Sequence, residues 1–231
     1  MSPLRQLVES RALLLDFDGP ICAIFAGYSA ARITGKLIAL LDSMRLAVPP
    51  EIRDERDPLA VLRWTAMTYP ADVAAAEDLL CEAELEAVRT AEPTPFGREV
   101  VQAARARGFP VAVVSNNSEP AIRAYLASHG LAGDIEPVVG RPHSAPGRMK
   151  PDPRPVLAAV NALATTPSQC TLIGDSLTDI EAARAAGVGI VGYANRPWKV
   201  AAFASADVVV TSMGDIAGVL SPMSPLSPEG H

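Results

Sequence analysis

Short apolar runs alternate with helix-like stretches along the second half of the chain. Between neighbouring runs, apolar residues recur at the three- and four-residue spacing of an amphipathic helix, and several of these stretches end at Gly. This alternation predicts a Rossmann-like α/β fold, in which a mostly parallel sheet carries helices on both faces. The predicted strands are residues 11–16, 111–114, 135–139, 170–173, 188–191 and 208–210, and the predicted helices are residues 96–107, 119–128, 153–164, 178–186 and 198–204.

A different pattern fills residues 24–90. Ile33, Leu37 and Leu41 recur at helix spacing, and a second such series between residues 76 and 87 is surrounded by acidic residues. No convincing strand interrupts this block, so it predicts an α-helical insertion. The predicted organisation is an α/β core of residues 1–20 and 93–220, an inserted cap of residues 21–92, and a Pro-containing disordered tail of residues 221–231.

Two carboxylates follow the first apolar run of the predicted core. Asp16 and Asp18 are two residues apart, so an extended strand places both side chains on one side, about 6–7 Å apart. Gly19 then allows the backbone to turn sharply. Such a pair can hold a divalent cation while one carboxylate attacks phosphorus and the other moves a proton. The alternative interpretation is an ordinary Asp-Gly turn at the end of a strand.

Polar side chains also follow two later strands, and a lysine precedes a predicted helix. Ser115 and Asn116 offer a hydroxyl and backbone N–H groups that suit a phosphate, although helix capping uses the same residue types. Lys150 can reach an anion as a point charge, or it is a solvated loop residue. Asp175 and Asp179 are either site carboxylates or acids that favour a helix N-terminus.

The predicted topology brings these segments together. The carboxyl ends of parallel strands meet at one edge of the sheet, so we expect Asp16, Asp18, Asp175 and Asp179 to lie close together. Four neighbouring carboxylates repel one another unless a cation lies among them. Oxygen ligands without His or Cys indicate Mg²⁺ as that cation.

The order of the motifs is that of a known family. DFDGP at 16–20, SNN at 115–117, KPDP at 150–153 and GDSLTD at 174–179 follow one another as in the haloacid dehalogenase superfamily of phosphohydrolases. The chain resembles that superfamily over nearly its whole length. The insertion at 21–92 is similar to the C1 cap of phosphoglycolate-phosphatase-like members.

The resemblance implies a role for each motif residue. Asp16 would be the nucleophile that forms an aspartyl-phosphate, and Asp18 would protonate the leaving oxygen and then activate water. Ser115, the Asn116 N–H group and Lys150 would hold the phosphoryl oxygens. The implied Mg²⁺ ligands are Asp16, the Asp18 carbonyl and Asp175, with Asp179 supporting the metal indirectly.

The sequence therefore predicts a Mg²⁺-dependent phosphatase that acts on a small phosphorylated metabolite. An acid two residues after the nucleophile favours phosphoryl chemistry over carbon–halogen cleavage, which does not need Asp18. A phosphomutase of the same fold is an alternative. A non-catalytic member that binds phosphorylated ligands or proteins is another, although the intact Asp16 and Asp18 count against it.

The start of the insertion predicts how the substrate is selected. Phe25 and Tyr28 are three residues apart, which would place them on one face of a helix beside the catalytic pair. There they would form an apolar wall that favours a hydrophobic or ring-containing leaving group, unless they pack within the cap. Arg32 and Lys36 are candidates to bind a second anionic group.

Composition narrows the choice of partners and compartment. A net charge of −6 argues against nucleic-acid binding, and no apolar run approaches the length of a membrane span. The interrupted N-terminal segment does not resemble a signal peptide, and three widely spaced cysteines do not form a disulfide framework. We therefore expect a cytoplasmic monomer or homodimer. Only three of the 20 basic residues are lysines, Lys36, Lys150 and Lys199, which makes each a candidate for a specific role.

Overall fold

A six-stranded parallel sheet forms the centre of the molecule. The computed structural model describes Leu4, Leu7 and residues 9–221, and the tail predicted to be disordered lies outside these residues from position 222 onward. The sheet confirms the predicted Rossmann-like α/β fold. Its strands are β1 (Ala12–Leu15), β4 (Val111–Val114), β5 (Val138–Val139), β6 (Cys170–Gly174), β7 (Gly189–Tyr193) and β8 (Val208–Val210). Their order across the sheet is β5-β4-β1-β6-β7-β8.

Helices cover both faces of this sheet, which explains why its strands are apolar throughout. Leu13 and Leu15 belong to the apolar core on one face, whereas Ala12 and Leu14 belong to the core on the other. The core helices are α5 (Gly97–Ala106), α6 (Glu119–Ser128), α7 (Arg154–Ala162), α8 (Leu177–Ala186), α9 (Pro197–Ala202) and α10 (Met213–Leu220).

A group of helices lies between β1 and the rest of the core in sequence. Buried Ile33, Leu37 and Leu41 of α1 (Ala30–Ser43) pack with buried residues of α3 (Pro58–Thr68) and α4 (Val73–Ala87), including Leu62 and Leu80, in one continuous apolar cluster. We propose that residues 21–92 form a cap, with the core made of residues 1–20 and 93–220. The helices of this region are α1 (Ala30–Ser43), α2 (Pro50–Arg53), α3 (Pro58–Thr68) and α4 (Val73–Ala87).

A two-stranded antiparallel ribbon joins the two parts of the chain. It pairs β2 (Cys22–Ala23) with β3 (Glu92–Pro93), at the points where the chain enters and leaves the helical group. Thr94 continues the connection, since its hydroxyl donates to the carbonyl of Gly19 at 2.5 Å. The sequence pattern did not indicate this ribbon because each strand has only two residues.

Several predicted boundaries need correction. The strand predicted at 135–139 is confined to Val138–Val139, and α10 was not predicted. Helix α10 is only eight residues long and contains two glycines, which weaken a helical pattern. The helical block begins at Ala30, so the segment that carries Phe25 and Tyr28 is a loop and not a helix. In the part of the chain that the structure describes, no helix combines the length and apolar character that a membrane span requires.

Candidate active site

Asp16 lies at the C-terminal end of β1, between the ends of β4 and β6. Its backbone N–H donates to the carbonyl of Ile173 at 2.9 Å, which continues the parallel ladder to the carboxylate. The carboxylate oxygen Oδ1 accepts from the Phe17 N–H at 2.7 Å and lies 3.0 Å from Lys150 Nζ. Both contacts fall on Oδ1, and Oδ2 takes part in neither of them.

Asp18 lies in the turn that follows. Its Oδ1 accepts from the backbone N–H of Ile24 at 3.0 Å, and Gly19 donates to the carbonyl of Cys22 at 2.7 Å. Gly19 has a φ of 108°, a conformation that favours glycine. A Cβ at this position would also lie 2.4 Å from Cγ of Asp175, so only glycine allows the turn to approach that carboxylate.

The loop after β4 is bonded directly to the backbone of Lys150. The side chain of Asn116 donates to the Lys150 carbonyl at 3.0 Å and accepts from its N–H at 2.9 Å. Next to it, the Ser115 hydroxyl donates to Oδ1 of Asn117 and accepts from the Asn117 N–H, both at 3.2 Å. These bonds bring the SNN and KPDP segments together as one structural unit.

The Lys150 ammonium group connects the ends of β4 and β1 with the first turn of α8. Nζ donates to the carbonyl of Val114 at 2.6 Å, and it lies 3.0 Å from Asp16 and 2.5 Å from Asp179. The lysine side chain is 1% exposed, so it is not the solvated loop residue of the alternative interpretation.

Asp175 and Asp179 follow β6 at the start of α8. Asp179 and Ser176 form a capping box, in which each side chain bonds to the backbone N–H of the other residue. Asp179 also pairs with Lys150, so it serves both as a helix cap and as part of the acidic cluster. The Asp175 carboxylate accepts from the Asn195 side chain at 2.9 Å and from Lys199 Nζ at 2.6 Å.

Burial and repulsion from neighbouring carboxylates favour the protonated forms of Asp16, Asp18 and Asp175. Burial raises the pKa of Asp16 to about 8, with a further contribution from Asp179 that Lys150 opposes. Burial raises the pKa of Asp18 to about 6 and also raises the pKa of Asp175. Burial alone would lower the pKa of Lys150, but Asp16 and Asp179 raise it above its ordinary value.

The acidic cluster has the geometry of a cation site. Asp16, Asp175 and Asp179 each offer a carboxylate oxygen, and these oxygens lie within 4.8 Å of one another. The donors are all oxygens, which suit a hard divalent cation. The close approach of Gly19 to Asp175 also brings the backbone of the 16–19 turn to the cluster. The residues present therefore fit a divalent metal.

The helical region closes over these groups and leaves a cavity of about 290 Å³. Asp16, Asp18, Ser115, Asn116, Lys150 and Asp175 all line it, so the structure brings the motif residues to one cavity. Phe25 contributes from the loop after β2, Asp57 caps α3, and Leu59 and Arg63 contribute from that helix.

The residues expected to select the substrate are only partly in place. Phe25 lines the cavity, whereas Tyr28 is 5% exposed and lies beneath Arg32 and Lys36, which stand 4.6 and 5.2 Å from its ring centroid. Lys36 also pairs with Glu86 at 3.2 Å. The prediction that Phe25 and Tyr28 share a helical face was wrong, because residues 25–28 form a loop. In place of Arg32 and Lys36, Arg63 lines the cavity.

A family model for haloacid dehalogenase-like hydrolases matches residues 11–187. The chain belongs to this family. The match extends from β1 to the end of α8 and so includes all four motifs.

Relatives of this hydrolase include a phosphoglycolate phosphatase of Rhodospirillum rubrum, which is 38% identical over 107 residues (45% of this chain and 44% of that protein). A bifunctional riboflavin kinase/FMN phosphatase of Arabidopsis thaliana is 28% identical over 218 residues (91% of this chain and 53% of that protein). The aligned regions span about half the length of the curated relatives that the hydrolase matches.

Solved structures share the fold of this hydrolase. CbbY from Rhodobacter sphaeroides in complex with phosphate has a TM-score of 0.68 at 18% identity, covering 90% of this chain and 96% of the CbbY chain. A HAD phosphatase from Thermococcus onnurineus has a TM-score of 0.62 at 19% identity, covering 91% of this chain and 97% of that chain.

A buried ionic network beside the site was not predicted. Arg141, in the loop after β5, donates to Glu77 at 2.6 Å and to the two oxygens of Glu84 at 2.8 and 3.2 Å. Glu84 in turn accepts from the Asn117 side chain at 3.2 Å and from the Ser118 N–H at 2.8 Å. Helix α4 of the hydrolase is thereby bonded to the loop that carries Ser115.

A signal for this network was present in the sequence. Glu77 and Glu84 are seven residues apart, two helical turns, and they lie on the same face as Leu80 and Ala83. Two acids on an otherwise apolar face indicate a buried cationic partner. The sequence could not identify Arg141 as that partner, because the contact depends on how α4 packs against the core.

Proposed function

We propose that this hydrolase removes the phosphoryl group from a small phosphomonoester through an aspartyl-phosphate on Asp16, in a Mg²⁺-dependent reaction. One observation carries the proposal. The 290 Å³ cavity is lined by two carboxylates from the end of β1, a buried lysine, a Ser-Asn loop and Asp175 of the acidic cluster. Nucleophile, proton carrier and anion-binding groups are thus within reach of one bound phosphate.

Asp16 is the nucleophile in this proposal. Its Oδ1 is held by the Phe17 N–H and by Lys150, so Oδ2 can attack phosphorus. The attack forms an Oδ2–P bond, breaks the bond from phosphorus to the leaving oxygen and yields an aspartyl-phosphate. Lys150 keeps Asp16 oriented and favours its ionised form.

Asp18 carries the proton in both halves of the reaction. It gives a proton to the leaving oxygen in the first step, and it takes a proton from the water that attacks the aspartyl-phosphate in the second. A pKa of about 6 suits a group that holds and releases a proton near neutral pH. The Ile24 N–H holds its carboxylate by a hydrogen bond of 3.0 Å.

The remaining groups hold the transferred phosphoryl group. Ser115, the Asn116 N–H and Lys150 would bind its oxygens, and the hydrogen bonds between Asn116 and Lys150 keep these donors at fixed spacing. Mg²⁺ would be held by Asp16, the Asp18 carbonyl and Asp175, with Asp179 in support. When bound, the cation would neutralise negative charge on the phosphoryl oxygens.

The cavity indicates the class of substrate. A volume of about 290 Å³ suits a small metabolite. Arg63 lines the cavity, and among the described residues it pairs with no carboxylate, since its one hydrogen bond goes to the Lys150 carbonyl at 3.5 Å. We infer that Arg63 binds a second anionic group of the substrate, a carboxylate or another phosphate, while Phe25 packs against its carbon frame. The phosphoglycolate phosphatases among the relatives agree with this class.

A phosphate-release assay tests the proposed function. The wild-type protein with Mg²⁺ is given a panel of phosphomonoesters that includes phosphoglycolate, sugar phosphates and FMN, beside Asp16→Asn as the matched inactive control. We expect Mg²⁺-dependent release from at least one small phosphomonoester, abolished by Asp16→Asn and by EDTA. Release that survives the substitution at Asp16 would overturn the covalent mechanism. Absence of release across a broad panel of phosphomonoesters would overturn the phosphatase assignment.

A further inference from the structure

Lys199 was not assigned a role by the motifs, yet it contacts the acidic cluster. Its Nζ lies 2.6 Å from Asp175 Oδ2 and 2.6 Å from the Asp175 backbone carbonyl. The side chains of Lys199 and Asp175 are only 12% and 17% exposed, so solvent screens this pair weakly. Lys199 therefore neutralises a carboxylate that, under the proposed function, binds the divalent cation.

Two lysines contact different members of the acidic cluster. Lys150 lies on Asp16 and Asp179, and Lys199 lies on Asp175. Each member of the three-carboxylate cluster thus has an ammonium partner. Under the proposed function Lys150 also binds the phosphate, whereas Lys199 does not line the cavity that contains Asp16, Ser115 and Lys150.

The surroundings of Lys199 leave it room to move. It lines a second cavity of about 610 Å³ that also includes Asp18, Asp175 and Asn195. The Trp198 ring, 65% exposed, borders the same cavity, with its centroid 5.7 Å from Lys199 Nζ. A flexible four-carbon side chain beside an open cavity can leave a carboxylate and keep its charge near an aromatic ring.

We propose that Lys199 is the internal counter-cation of Asp175 and that a divalent cation has to bind against its charge. This inference rests on the proposed function, because it takes Asp175 as a metal ligand. Magnesium binds carboxylate oxygens at about 2.0–2.1 Å, so a Mg²⁺ ion on Asp175 would lie within a few ångströms of the ammonium group. Repulsion at that distance weakens binding of the metal, while the same ammonium group stabilises the metal-free protein.

Asn195 allows the effect of the Lys199 charge to be distinguished from an effect on the position of Asp175. It donates to Asp175 Oδ2 at 2.9 Å, the oxygen that Lys199 also contacts, but it carries no charge. If Lys199 acted only by orienting Asp175, loss of either residue would weaken Mg²⁺ binding, as loss of a supporting hydrogen bond commonly does. If Lys199 acts through its charge, only its loss tightens Mg²⁺ binding.

The test is a Mg²⁺ titration of the full chain by calorimetry, with thermal unfolding measured at each Mg²⁺ concentration. The variants are Lys199→Met and Asn195→Ala, with Lys36→Met as a control at an exposed lysine that pairs with Glu86. We expect Lys199→Met to bind Mg²⁺ at least ~10-fold more tightly than the wild type. Its metal-free Tm should fall, and the deficit should shrink at saturating Mg²⁺. Asn195→Ala and Lys36→Met should not tighten binding.

Equal or weaker Mg²⁺ binding by Lys199→Met would overturn the inference and leave the proposed function intact. No Mg²⁺ binding by wild type or variant would overturn both the inference and the cation site of the proposed function. If Lys199→Met does not fold without metal, Lys199→Gln removes the charge and keeps a hydrogen-bond donor. The same ~10-fold tightening is expected of it, and its absence overturns the inference.

Discussion

Replacing Arg141 by methionine should destabilise the protein far more than any exposed ion pair would suggest. The Arg141 side chain is 0% exposed, and those of Glu77 and Glu84 are each 1% exposed. Methionine keeps much of the side-chain volume but leaves both carboxylates buried without their cation. The substitution also removes the hydrogen bond from Arg141 to the Asn116 carbonyl, at 2.7 Å.

The expected loss follows from the burial of these charges. Removing one partner of a buried ion pair costs about 3–5 kcal/mol, because the remaining charge is left desolvated. Two carboxylates lose their partner here, so the free energy of unfolding should fall by at least ~3 kcal/mol. For a chain of this size, that corresponds to a decrease in Tm of at least ~6 °C.

Urea unfolding followed by circular dichroism measures the loss directly. The matched control is Arg123→Met, which also removes an arginine from two carboxylates, Glu119 and Glu136, but at a site where Arg123 is 46% exposed. That control should lose less than ~1 kcal/mol. A similar small loss for Arg141→Met would refute the argument that this network fixes α4 on the core.

A compensating variant tests the stated cause. Adding Glu77→Gln and Glu84→Gln to Arg141→Met removes the uncompensated charges, so part of the lost stability should return. A triple variant less stable than Arg141→Met alone would show that unpaired charge is not the source of the loss.

Further predictions concern the cavity itself. Asp16→Asn should raise the free energy of unfolding of the metal-free protein at pH 8 by on the order of a few kcal/mol, and it should hardly change that free energy at pH 4. Thermal unfolding at each pH measures the difference. The pKa of Asp16 in the folded protein is raised to about 8. Ionisation of Asp16 therefore lowers the stability of the folded protein progressively as pH rises from about 4 to 8. A gain in stability from Asp16→Asn that is independent of pH would contradict this. Lys150→Met should lower kcat/KM by at least ~100-fold in steady-state assays, whereas a change within about threefold, under ~1 kcal/mol, would remove Lys150 from the reaction. Arg63→Met should raise KM more for phosphomonoesters with a second anionic group than for those without one. Phe25→Ala should shift the kcat/KM ratios between substrates of the panel. An equal loss of activity with every substrate would contradict the role given to Arg63 or Phe25. Ca²⁺ should inhibit the Mg²⁺-supported reaction, since its longer bonds and higher coordination number misplace Asp16, and full activity with Ca²⁺ alone would argue against that geometry.

The motif residues could be placed from the sequence because a parallel sheet has a simple rule. Asp16, Ser115 and Asp175 each follow an apolar run, and parallel strands bring such positions to one edge. Lys150 was located by its motif, but its burial and its bond to the Val114 carbonyl depend on how the loop before α7 folds back over β4. The local sequence pattern thus predicts which residues lie at the edge of the sheet, but not which hydrogen-bond or ion-pair partners they have there.

The site residues that the sequence did not predict make their contacts between elements that are distant in sequence. Arg63 reaches the cavity only because α3 packs over the sheet edge, and Lys199 reaches Asp175 from α9. The scarcity of lysine indicated Lys199 only in general terms. Tyr28 does not line the cavity, because the loop before α1 places its ring beneath Arg32.

Trapping a phosphoryl group on Asp16 is the most direct test of the covalent mechanism. The substrate is p-nitrophenyl phosphate, whose leaving group departs without protonation, and the protein is Asp18→Asn, which lacks the group that activates water for the second step. With Mg²⁺ present and an acid quench, peptide mass spectrometry should find one phosphoryl group on Asp16 and none in the double variant Asp16→Asn/Asp18→Asn. Release of nitrophenolate without a phosphorylated Asp16, or a phosphoryl group on another residue, would contradict the mechanism.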